Sequence, residues 1–249
     1  MWHDVPVWLQ AGLWGLLGAS SLVVGAAVAY LARLGTRVAA AIMSFGCGVL
    51  ISAVAYDLIF QGFRSAGIRP VVIGAVCGSL AYAAANWLVS SSGGRHRKRS
   101  GDQQASDSQG GMAIAIGSLL DGIPESVVLG VSLLGGAGVS LPVFAAVFLS
   151  NFPEGLSSAT GMRKAGRSKL YVFGLWIGIA VLSGLAALAG AAFLGSAPAR
   201  LIALVEAVAA GALLTMVSDT MIPEAVEGEH GVAGMLVVAG LLLAFTLSH

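Results

Sequence analysis

Charge is what this chain has least of. Only 10% of its 249 residues are Asp, Glu, Lys or Arg, against 57% hydrophobic, and the mean hydropathy is +0.89. A soluble domain carries about 25% charged residues, so this composition excludes a water-soluble globule and indicates a single unit lying mostly within a bilayer. The net charge of +1 gives no sign of nucleic-acid binding. Cysteine is nearly absent as well. Cys47 and Cys77 each sit inside an apolar run, form no CxxC or zinc-finger spacing, and read as small buried residues. The start, Met1-Trp2-His3-Asp4, lacks the basic stretch of a cleavable signal. No nucleotide-binding loop and no motif for an organic cofactor occurs.

Long apolar runs fill the rest. Eight are long enough to cross a bilayer: 5–32, 38–61, 70–90, 111–134, 141–162, 169–194, 200–223 and 231–248. They are rich in Ala, Leu and Gly without period-two alternation, which predicts helices and an all-α polytopic membrane protein. Lys and Arg divide ten to three between alternate loops. The richer set contains Arg33, Arg37, Arg163 to Lys169 and the polar stretch 91–110, so these face the cytoplasm and both termini lie outside. The stretch 91–110, with His96 among basic residues, reads as a disordered cytoplasmic loop. An echo links Gly48-Val49-Leu50-Ile51-Ser52 to Asp57 with Gly211-Ala212-Leu213-Leu214-Thr215 to Asp219, the trace an inverted repeat would leave.

Two motifs break the apolar pattern: Asp121-Gly122-Ile123-Pro124-Glu125-Ser126 and Ser150-Asn151-Phe152-Pro153-Glu154-Gly155. A carboxylate at the centre of a bilayer-spanning helix costs about 2.5–3.5 kcal/mol. A proline there also removes a backbone donor and frees a carbonyl one turn upstream, here Leu120 and Leu149. Asp121 and Glu125 share one helix face at i, i+4, and Asn151 and Glu154 share another at i, i+3. Both pairs fall about 15–21 Å into a core roughly 30 Å thick. A short connection, 135–140, makes the two helices antiparallel neighbours, so three carboxylates, one carboxamide and the Ser150 hydroxyl are expected around one point. Such a set must take up protons, cations or both, and an all-oxygen site suits a divalent cation. Asp57 and Glu206 toward the outer side, and Asp219 and Glu224 toward the inner side, extend a path across the membrane. Asn86 reads as an interhelical hydrogen-bonding residue.

These motifs resemble the ZIP (Zrt/Irt-like) family of divalent metal transporters. Ser150-Asn151-Phe152-Pro153-Glu154-Gly155 followed by Leu156-Ser157-Ser158-Ala159-Thr160-Gly161 is similar to the fifth-helix signature of that family. Asp121 to Ser126 is similar to the fourth-helix one, and Ala210 through Glu224 to the seventh. The resemblance implies eight spans in a 3+2+3 arrangement with inverted repeats and a metal site between helices four and five. It also implies inward transport of zinc, or of manganese, iron or cadmium, across the plasma (inner) membrane; the Gly-rich helix faces would permit a homodimer without demanding one. It places Asp121, Glu125, Ser150, Asn151 and Glu154 at ligand or near-ligand positions and Asp219 at an exit position. Asp121 stands where the family often has histidine, Gly122 where it has asparagine, and the sixth run carries no carboxylate, so a single-metal site is expected. The all-oxygen set is harder than one containing histidine and should separate zinc from manganese or iron less sharply.

Two other readings stay open. The acids can serve a proton-linked carrier or a structural network of buried, protonated carboxyls. Tyr56-Asp57 with Asp121 also resembles the acid pair of intramembrane aspartyl proteases, although Ser118-Leu119-Leu120 stands where those have Gly-x-Gly and Asp57 lies near a helix end.

Overall fold

A computed structural model describes residues 5–32, 36–91, 108–135, 138–228 and 231–247. The basic part of the expected cytoplasmic loop, including His96, lies outside the described residues, as do Arg33 and Glu229. Among the described residues, every element longer than a turn is helical. In chain order these are α1 (Val7–Leu31), α2 (Thr36–Ala53, continuing through Val54–Phe60 to Gln61–Ala66), α3 (Ile68–Val89) and α4 (Ser108–Ser132). Then come α5 (Leu141–Lys164), α6 (Lys169–Leu194), α7 (Ala199–Met216, continuing through Val217–Met221 to Ile222–Gly228) and α8 (Ala233–Leu247).

Among the described residues, one continuous helix thus occupies each of the eight apolar runs. Two breaks fall later than the sequence suggested. α2 continues past Gly62 and stops at Gly67, whose φ of 81° ends the helix. Pro70 then sits in the first turn of α3, where a missing N–H costs nothing. α7 runs through Pro223 to Gly228, so Glu224 belongs to a helix and not to a loop. Ser140 and Ser168 cap α5 and α6 by accepting from Val143 N (3.4 Å) and Tyr171 N (3.2 Å).

Five of the helices, α1, α2, α3, α6 and α7, are long and apolar enough to cross a membrane. α8 is apolar but has 15 residues, and α4 and α5 carry the buried acids. Large apolar side chains cover the outside, with Leu80 66% and Phe193 84% exposed. An outer surface of this kind belongs in hydrocarbon, and the chain is an all-helical protein of the membrane-integral type.

The helices fall into two groups. α1 packs along α6 and α5, and α6 along α4. α3 packs along α7, α8 along α2, and α2 along the second half of α7. Contacts between the groups are thinner, mainly α2 with α5 and α4 with α7. Close approach is achieved with glycine. A Cβ at Gly155 would meet the Leu22 carbonyl oxygen of α1, and one at Gly130 would meet the Ala187 carbonyl oxygen of α6. These contacts draw α5 to α1 and α4 to α6, and leave α4 and α5 touching each other over a short stretch only.

Candidate cation pathway

The buried polar residues gather on α4 and α5, as the two motifs require. Asp121 is 1% exposed, Glu125 2%, Ser150 2%, Asn151 4% and Glu154 4%. Pro124 and Pro153 lie inside continuous helices. The carbonyl that Pro153 frees, Leu149 O, is turned to α2, where a Cβ on Gly46 would lie 3.0 Å from it. It therefore lines the α2–α5 contact.

The carboxylates are spread out rather than gathered at one point. Ser150 Oγ donates to Glu125 Oε1 at 3.0 Å and also reaches Val147 O at 3.1 Å, so the two motifs do meet. Asp121 faces the other way and accepts from the Tyr82 hydroxyl of α3. Among the described residues no three His, Cys, Asp or Glu side chains lie close enough to hold one metal ion. This corrects the expected convergence of three acids. The physical reason is the glycine packing above, which pulls α4 and α5 toward different partners and turns Asp121 to α3. Gly122 faces Ser183 of α6, whose Oγ would lie 3.3 Å from an added Cβ.

Beyond the centre, the acids divide between two ends. On one side a cavity of about 290 Å³ opens between the ends of α2, α4, α5 and α7. Asp57, Gln61, Ser65, Ser132, Ser140 and Glu206 supply its polar wall. Asp57 sits in the π turn Val54–Phe60 and accepts from Gln61 Nε2 at 3.3 Å. Leu58, Val128 and Val143 form part of the cavity wall and also line a second cavity of about 10 Å³, the space of one water, which reaches Glu125. Leu50, Ala53, Val54, Ala146, Val147 and Leu213 complete that smaller space. An apolar constriction thus separates a polar vestibule from a buried carboxylate.

On the other side, Ser157 lies one turn beyond Glu154 and donates to Glu224 Oε1 of α7 at 3.1 Å. Asp219 falls in a second π turn, Val217–Met221, and is exposed. Of the two inner acids of α7, Glu224 is hydrogen-bonded to α5 and Asp219 is exposed. Single-turn π segments are rare and frequent at functional sites, and two of those described, Val54–Phe60 and Val217–Met221, carry the two acids of the α2/α7 echo. The Asn86 Oδ1 atom is buried and makes no hydrogen bond, so the interhelical bond expected of it is not formed through that oxygen.

Sequence reasoning missed Tyr82, Gln61 and Ser157. A tyrosine or serine in an apolar run carries no signal of its own. Only the packing of α3 against α4, and of α5 against α7, reveals them as donors to acids. Asp57 and Asp121 do not face each other: one lines the vestibule and the other bonds to Tyr82, so the geometry of an aspartyl protease dyad is not present. No protein-family model matches the chain, and no curated protein matches it.

Proposed function

We propose that the chain is a membrane carrier for divalent cations, zinc above all with manganese, iron or cadmium as alternatives, of the kind the ZIP family represents. The observation that carries the reading is the meeting of two proline-containing helices at their buried acids. Glu125 of α4 and Ser150 of α5 are hydrogen-bonded to one another, and Glu154 lies one turn farther along α5. Each of these acids costs about 2.5–3.5 kcal/mol at mid-membrane, a cost that a bound cation would offset. Hydroxyls from Ser150, Tyr82 and Ser157 satisfy oxygens of Glu125, Asp121 and Glu224. A doubly charged ion would replace these with stronger interactions. Glu125 and Glu154 are the main ligands in this reading, with Asn151, Ser150 and Asp121 completing an oxygen set when the helices draw together.

The route is supported by the vestibule on one side and by the Glu154–Ser157–Glu224 line on the other. In this reading the vestibule with Asp57 and Glu206 faces outward, both termini are outside, and the ion leaves past Glu224 to the cytoplasm. α4, α5 and α8 are crossings too, which makes eight. The packing pattern supports an inverted 3+2+3 repeat. Exchanging α1 with α6, α2 with α7, α3 with α8 and α4 with α5 converts the α3–α7 contact into the α8–α2 contact, and the α1–α5 contact into the α6–α4 contact. Gly48 of the echo packs on the Val237 carbonyl of α8, and Gly211 on the Ala75 carbonyl of α3, as that exchange requires. Relative movement of the two helix groups would open the site alternately to each side, driven by the ion gradient or the membrane potential.

The test is flux into liposomes containing purified protein and a metal-sensitive dye. Glu154→Ala should abolish zinc uptake while the protein stays inserted and elutes as the wild type does. Wild-type flux from the variant would refute the carrier.

A further inference from the structure

The basic residues around the α5–α6 connection are gathered on aromatic rings. Arg163, in the last turn of α5, and Lys169, at the start of α6, converge on the ring of Tyr30 near the end of α1. The Arg163 guanidinium carbon lies 5.8 Å from the ring centroid and the Lys169 ammonium 6.0 Å. The Phe173 ring backs Tyr30 at 5.7 Å, and Arg167 sits over Tyr171 at 5.3 Å. Arg163 Nη1 donates to Ala29 O at 2.5 Å. That contact offsets the negative end of the α1 dipole and leaves other guanidinium donors for a further acceptor. The hydroxyl of the same Tyr30 is buried and makes no hydrogen bond among the described residues. A buried phenol normally has a partner.

Two positive charges drawn to one ring by cation–π attraction repel each other. The chain has no Asp or Glu between Glu154 and Glu206, and neither Arg163 nor Lys169 pairs with an acid among the described residues. We infer that this end of α1, α5 and α6 binds the headgroup phosphate of an anionic phospholipid, with Arg163 and Lys169 as its cations and the Tyr30 hydroxyl as its donor. A phosphate shared by the two cations removes their repulsion and gives the orphaned hydroxyl an acceptor. A lipid fits better than free phosphate, because exposed apolar side chains flank the cations. Leu31 is 84% and Leu170 86% exposed, and acyl chains cover such side chains where water does not. Basic pockets between the ends of membrane helices are of the kind that hold lipid headgroups. The inference asks only that the chain lie in a membrane and is independent of the carrier reading.

The test is lipid binding by the full chain, purified in an uncharged detergent and titrated with phosphatidylglycerol or with phosphatidylcholine of the same acyl chains, the bound lipid being counted by native mass spectrometry. Phosphatidylglycerol should bind the wild type at least about tenfold more tightly than phosphatidylcholine. Lys169→Gln should weaken phosphatidylglycerol binding about fivefold. Tyr30→Phe keeps the ring, deletes only a hydroxyl with no described partner, and should weaken it about tenfold. Arg200→Gln, which removes an exposed arginine at the opposite end of the helices, should leave it at the wild-type value. Equal affinity for the two lipids overturns the inference. So does wild-type binding by Tyr30→Phe, because diffuse surface charge would respond to Lys169→Gln but not to loss of a buried hydroxyl. Inorganic phosphate that binds as tightly as the lipid overturns the lipid assignment. Lys169 is exposed, so its variant keeps the test decisive should Tyr30→Phe fail to fold: an affinity unchanged by Lys169→Gln also overturns the site.

Discussion

Gly155→Ala should loosen the structure where the carrier reading needs it most rigid. An added Cβ would meet the Leu22 carbonyl oxygen and would lie 2.8 Å from Leu22 Cα. Two carbons at rest are about 3.5–4.0 Å apart, so α5 must move away from α1 by something near an ångström. Overpacking of this kind costs about 1–3 kcal/mol. Neither clashing atom is the tip of a flexible side chain, so the upper half of that range is expected. The control is Gly174→Ala on α6, where nothing lies within 4 Å of the new atom. Replacing a mid-helix glycine by alanine there should stabilise by about 0.5–1 kcal/mol. Thermal denaturation of the detergent-solubilised protein, followed by size-exclusion chromatography, reads both. Gly155→Ala should melt lower than the wild type and Gly174→Ala at or above it. Because Glu154 is the preceding residue, zinc flux should also fall in the first variant and persist in the second. Equal melting temperatures for the two variants would refute the packing that places α5.

Further outcomes follow from the same geometry. With exposed Cys77 replaced by serine, Ser132→Cys in the vestibule should react rapidly with a charged thiol reagent, whereas Ala146→Cys beyond the constriction should react far more slowly; equal rates would remove the constriction. Asp57→Asn combined with Glu206→Gln should raise the apparent KM for zinc severalfold and leave the maximal rate nearly unchanged, since these acids line the vestibule and not the buried centre; a loss of maximal rate with KM intact would contradict that assignment. Manganese should compete with zinc for uptake, because the donors are all oxygen, and strict zinc transport would count against the ligand set.

The helices were legible because hydropathy is a strong signal: each apolar run holds one helix, and Lys169–Leu194 agrees with its run residue for residue. Their ends were less so. Gly62 and Pro223 look like breakers, yet α2 and α7 continue past them, one into a glycine that does end the helix and the other with its proline near the start of a new regular stretch after a π turn. The buried acids were legible for the opposite reason, since a Pro-Glu pair in an apolar run has few innocent explanations. Which acids share a space was not legible. The short connection between α4 and α5 suggested broad contact, but Gly130 and Gly155 bring each helix closer to α6 and α1 than to its sequence neighbour. Helix choice between partners is decided by these carbonyl-level fits, which leave no periodic trace. The orientation of Asp121 toward Tyr82 follows from them.

The central claim is that Glu125 and Glu154 hold a divalent cation between α4 and α5. The most direct measurement is equilibrium binding of zinc to purified wild-type protein beside Glu125→Gln and Glu154→Gln, with all three shown to be folded by their melting curves. The account requires saturable binding by the wild type that each substitution abolishes or weakens by at least a hundredfold. Binding that survives both substitutions unchanged would contradict it.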